Sequence, residues 1–67
     1  MTRKDFVEMP EWVKYVAMDK NGAWWGFECE PYISKDVWAT YVGRGDRLKP
    51  KKNKPIPRWF DSLSELV

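Results

Sequence analysis

Seven of the twelve basic side chains, Arg44, Arg47, Lys49, Lys51, Lys52, Lys54 and Arg58, fall between positions 43 and 58, where Asp46 is the one acid. That stretch carries +6, while the other residues hold five bases and nine acids and carry −4. Cations gathered in this way can neutralise phosphate or meet an acidic protein surface. Aromatic rings beside them would add base stacking, the other half of single-strand recognition. Trp24 and Trp38 are the stacking candidates, with Lys49, Lys51, Lys52 and Lys54 as phosphate contacts. Together with Trp12, Arg44 and Arg47 they form the candidate partner-binding set. The plainer alternative is that the tryptophans build the core and the lysines coat a solvated loop.

Catalytic chemistry finds fewer supports. The chain has no histidine and one cysteine, Cys29. These counts remove histidine-activated nucleophiles, an intramolecular disulfide and any ordinary zinc site. Glu28 and Glu30 project from one strand face as a carboxylate pair would, yet residues i and i+2 always do so, and Lys14 is a ready partner for Glu28. Cys29 falls among apolar neighbours, where a free thiol behaves as a small hydrophobe. Arg44-Gly45-Asp46 spells an adhesion tripeptide, but Gly and Asp have an ordinary reason to stand in a turn. No catalytic, cofactor-binding or metal-ligating residue is assigned, and the chain is expected not to be an enzyme and to need no cofactor.

The elements that must position these residues are short. At 67 residues the chain allows one small domain, near the lower limit for independent folding. With no disulfide or metal to staple it, five tryptophans are the means of burying enough area. Trp12–Met18 and Ala23–Cys29 are rich in β-branched and aromatic residues and flank Asp19-Lys20-Asn21-Gly22, which predicts a β-hairpin. A two-residue Asn21-Gly22 loop would pair Lys20 with Ala23. A three-residue loop with Gly22 as the left-handed bulge residue pairs Asp19 with Ala23, Tyr15 with Phe27 and Ala17 with Trp25. The second register leaves one face uncharged (Val13, Tyr15, Ala17, Trp25, Phe27 and Cys29) and is preferred. That face is expected to be the core. The other, with Trp12, Lys14, Val16, Met18, Trp24, Gly26, Glu28 and Glu30, is half apolar and needs a second cover, from this chain or from a partner.

Val37–Val42 reads as a third strand, Gly43–Asp46 as a turn and Arg47–Lys49 as a short edge strand. Residues 1–10 read as an N-terminal tail and 49–57 as an extended Lys/Pro-rich loop. Ser62 and Glu65 stand at capping-box spacing, and Trp59, Leu63 and Leu66 at helical intervals, which predicts one or two helical turns. Those residues are candidates for the second cover. The fold class is all-β or β-rich α+β: a small antiparallel sheet of three to four strands with a short C-terminal helical turn. No apolar run approaches the roughly 20 residues of a membrane span, and no signal-peptide core follows the charged start.

The order Ala17-x-Asp19-x-x-Gly22, an aromatic strand running into Glu30-Pro31, Trp38, and then Trp59-x-x-Ser62-Leu63 resembles a recurrent pattern in short bacteriophage and prophage proteins. The resemblance spans residues 12–66; Trp24-Trp25 and the lysine-rich insert before Trp59 are additions to the pattern. It transfers no functional residue. It implies a phage product in the cytoplasm of a bacterial host cell, of a kind that binds and inhibits a host protein. The leading expectation is therefore a non-enzymatic module that binds a host or phage protein through the exposed part of the hairpin's second face and the basic loop. Nucleic-acid binding through the 43–58 segment is the alternative, and a homodimer is a third way to cover the hairpin.

Overall fold

The computed structural model describes residues 1–52 and 57–66. Seven strands occur in the order β1 (Phe6–Val7), β2 (Tyr15–Met18), β3 (Trp24–Phe27), β4 (Tyr32–Ser34), β5 (Val37–Ala39), β6 (Gly45–Pro50) and β7 (Ser64–Glu65). Single 3-10 turns precede β1, at Arg3–Asp5, and β7, at Trp59–Asp61. No α-helix forms among the described residues, and none of their helices is long and apolar enough to cross a membrane. The protein is β-rich: a curled antiparallel sheet in the order β1-β6-β3-β2-β7, with β4 and β5 as a separate two-stranded ribbon.

The β2–β3 hairpin adopts the bulged register. Tyr15 lies opposite Phe27 and Ala17 opposite Trp25. The Asp19 amide donates to the Ala23 carbonyl and the Gly22 amide to the Asp19 carbonyl, both at 2.9 Å. Gly22 sits at φ 90, a conformation that costs a side-chain-bearing residue but not glycine. The Asn21 Oδ1 accepts the Ala23 amide at 3.0 Å and closes the loop.

The choice of inner face is the reverse of expectation. The main core cluster is Phe6, Val13, Val16, Met18, Trp24 and Leu48, with Met9, Trp12, Trp59 and Leu66 packed on its margin. It lies on the half-polar face, because β6 joins β3 there with Leu48 opposite Trp24, and β1 then brings in Phe6; Val13, expected on the uncharged face, precedes β2 and packs over Gly26 on this side instead. The Phe6 ring meets Trp24 edge-on, 5.6 Å between centroids. Gly26 lies beneath Val13, whose two methyl carbons would be 2.9 Å from any added Cβ. Absence of charge therefore did not select the inside; the apolar side chains brought by distant strands did. The uncharged face is nonetheless sealed at Ala17 and Phe27, which are buried, and half-open at Trp25. The need for a second cover is met, and the cover is intramolecular.

Four other expectations need correction. Residues 1–10 are not a tail: Phe6 is buried, and the Arg3 guanidinium donates to the carbonyls of Pro10, Glu11 and Val13. Arg47–Lys49 is not an edge; it belongs to a six-residue strand between β1 and β3. Within it Lys49 and Pro50 replace the start of the expected loop, and residues 53–56, including Lys54, lie outside the described residues. The third strand stops at Ala39, since the Thr40 hydroxyl bonds the Val42 carbonyl at 2.7 Å and bends the chain. Its partner is Tyr32–Ser34, joined through Lys35 at φ 57, a turn without glycine.

The expected short C-terminal helical turn forms as a 3-10 turn at Trp59–Asp61, but it ends before Ser62, and Ser64–Glu65 pairs with β2. Ser62 does not cap a helix at that spacing. Its hydroxyl accepts the Met18 amide at 2.8 Å and shares its proton between the carbonyls of Trp59 (2.6 Å) and Met18 (3.2 Å). Trp59 and Leu66 do pack against the core cluster, as the second cover was expected to.

Candidate interaction surface

The ribbon is tied to the end of β2 by two bonds from one residue. The Trp38 amide donates to Asp19 Oδ1 at 2.8 Å, and its indole Nε1 donates to the Met18 carbonyl at 3.1 Å. Asp19 is buried; its backbone starts the hairpin turn and its side chain holds the ribbon. Trp38 is half-buried with its polar edge in use; it is an anchor of the fold rather than an open stacking platform.

The rest of the ribbon is bare. The alternation puts Tyr32 and Val37 on one face, and both are exposed. Tyr41 stacks on Tyr32, 4.7 Å between centroids and 22° between planes. Burial, and hydrogen bonding with the Tyr41 side chain, raise the Tyr32 phenol above its ordinary value of 10.0. Tyr41 is 88% exposed and Val42 65%. None of these four residues was singled out in the sequence. Burial can be forecast from periodicity, but this surface arises because the ribbon stands clear of the main sheet.

Of the candidates read from the sequence, Trp24 is 2% exposed and contacts no solvent worth the name. It is a core residue because Leu48 and Phe6 close over it, and the stacking role assigned to it is withdrawn. Trp12 is half-buried, with the Arg44 guanidinium carbon 4.8 Å above its ring. Arg44 also binds Glu28, through its amide to Oε1 and its guanidinium to Oε2, both at 3.1 Å. Glu28 is therefore partnered by Arg44 rather than by Lys14, and hydrogen bonds from Arg44 hold its carboxyl below the ordinary value of 4.5. Trp12, Arg44 and Glu28 form a clamp where β3 meets the start of β6. Gly43, at φ 80, passes so close that an added Cβ would lie 2.9 Å from the Cys29 sulfur. The tripeptide Arg44-Gly45-Asp46 enters β6 instead of forming a turn, with Arg44 occupied. Arg47, Lys49, Lys51 and Lys52 remain exposed, and the described residues include no group of three or more acids and cysteines that could hold a metal.

The clamp has a pH signature. A carboxyl whose folded pKa is depressed adds stability above its unfolded pKa and loses it as pH falls through the folded value. Glu28→Gln is expected to lower the melting temperature at pH 7, and the gap to the parent protein to close as pH drops below 4.5. Thermal melts followed by circular dichroism across that range check it; a gap that persists unchanged in acid would remove Arg44–Glu28 as its source.

Comparison with protein-family models, curated proteins and solved structures finds no match. The functional reading rests on the residues.

Proposed function

We propose that this chain is a non-enzymatic interaction module that docks another protein on the β4–β5 ribbon and the loop that follows it. The observation that carries the reading is the stacked pair Tyr32–Tyr41, flanked by exposed Val37 and Val42. Leaving a side chain of this kind in water forgoes about 1.5–3 kcal/mol of burial. A small fold that seals both sides of its hairpin has little reason to spare four together unless they are covered in use. Tyrosine suits such a contact, since it offers a rigid apolar body with a polar tip. In the phage setting that the sequence pattern resembles, the partner is a host or phage protein in the bacterial cytoplasm, and binding would inhibit it. The absence of histidine, the commonest general base, supports a non-enzymatic role.

Because Tyr41 and Val42 are solvent-facing, Tyr41→Ser with Val42→Ser is expected to leave the melting temperature unchanged. The same variant is expected to lose at least about tenfold of the protein retained from bacterial lysate, the effect of truncating hot-spot anchors. If the parent chain retains nothing above a blank matrix, or the variant retains as much as the parent, the reading fails.

A further inference from the structure

β6 builds a second surface from different residues. Arg47 and Lys49 are exposed on its outer face while Leu48, between them, is buried. Positions two apart on a strand stand about 6.8 Å apart on one side, of the order of the step between successive phosphates in an extended strand of nucleic acid. Trp25 lies directly opposite Arg47 and Val7 opposite Lys49. Cross-strand partners share a face, so the half-buried indole and the two cations lie on one side of the sheet. Beyond the strand the Lys51 amide bonds the Asp5 carbonyl at 2.8 Å, which gathers Lys4, Lys51 and Lys52, with Asp5 among them, around one concavity.

These cations differ from the others in the basic segment. Arg44 is paired with Glu28 and Arg58 with Asp61. Among the described residues no carboxylate lies within ion-pair distance of Arg47, Lys49, Lys51 or Lys52. Asp46 alternates to the other face and accepts the Arg47 amide at 2.9 Å.

We infer that the outer face of β6 and β3 binds single-stranded nucleic acid, with successive phosphates on Arg47 and Lys49 and a base stacked on Trp25. An acidic peptide would use the cations but has no need of the indole. A duplex keeps its bases stacked on one another, out of reach of a ring lying in a sheet face. The sequence pointed to the adjacent residue, Trp24; its exchange for Trp25 follows from the inverted core face. This surface shares no residue with the ribbon and stands whether or not the ribbon docks a protein.

The test is fluorescence anisotropy of a labelled oligothymidylate about a dozen nucleotides long, in the range of known single-strand sites. The log of affinity is expected to fall with log salt at a slope near −3, about 0.7 for each of four cations. Arg47→Gln with Lys49→Gln should reduce the slope by roughly 1.4. Trp25→Leu, which keeps an apolar side chain on the face, should weaken binding by about tenfold or more at constant slope. Lys20→Gln with Lys35→Gln removes the same charge elsewhere and should leave the slope unchanged. The proposal is overturned by no binding at low salt, by equal or tighter binding of a duplex, by competition from polyglutamate as effective as from unlabelled oligonucleotide, or by equal losses in the two charge-removal variants.

Discussion

Trp24→Ala is expected to lose about 3–5 kcal/mol of stability, the usual cost of truncating a buried tryptophan, and so to remove most of the stability of a domain this small. Trp24 is enclosed by Phe6, Val13, Val16, Met18 and Leu48, contributed by strands from both ends of the chain. Domains of this length hold about 3–10 kcal/mol in all, at roughly 0.05–0.15 kcal/mol per residue. The variant should melt without a sigmoidal transition, or with one below room temperature, by circular dichroism. The neighbouring substitution Trp25→Ala provides the control, since its side chain is only half-buried, on the other face. It should retain a clear transition. A Trp25→Ala protein less stable than Trp24→Ala would mean that the uncharged face of the hairpin is the core after all.

Ser62→Ala should have the next largest effect. The Ser62 hydroxyl joins the C-terminal segment to β2 across 44 positions, and both of its bonds with Met18 are buried. Alanine keeps the volume nearly unchanged but leaves the Met18 amide without an acceptor. An unsatisfied buried donor costs about 1–3 kcal/mol, which in a domain of this size lowers the melting temperature by roughly 5–20 °C. Loss of this latch should also free Trp59 and Leu66, whose packing on the core depends on where β7 lies. Ser64→Ala, in the adjoining strand and only half-buried, is expected to shift the melt by less than about 3 °C. Equal effects from the two serines would show that Ser62 contributes no more than an ordinary strand residue.

The legible part of this fold is local. Asp19 and Gly22 suit the first and fourth positions of a type I turn, which favours the bulged register over an Asn21-Gly22 loop, and β2 and β3 pair in that register. The inner face of the hairpin was not legible, because it is settled by Leu48 and Phe6, and no periodicity around the hairpin announces strands that arrive from positions 6 and 48. β4 escaped notice for a different reason: Lys35 takes a left-handed conformation that glycine or asparagine usually signals. Ser62 and Glu65 stood at a spacing that serves a helix cap as well as a latch onto β2, and long-range pairing with Met18 decided between them.

The candidate surfaces divide in the same way. The cations of β6 were visible as composition, since charge counts need no fold. Their aromatic neighbour was misplaced by one residue, and one residue in a strand is the difference between inside and outside. Nothing in the sequence marks Tyr32 and Tyr41. They lie nine positions apart in a segment with no regular pattern, and only the bend after Ala39 stacks them.

The ribbon, and not the Trp12–Met18 side of the hairpin, is the surface expected to meet a protein partner. Photocrosslinking tests it most directly. A photoreactive phenylalanine analogue is placed at position 41 in one preparation and at position 14, exposed next to β2, in another, and each is illuminated in bacterial lysate. A discrete adduct with a second protein at position 41, suppressed by excess unlabelled chain and absent at position 14, is the expected result. An adduct at position 14 alone, an adduct of twice the mass of this chain, or none at either position would contradict the account.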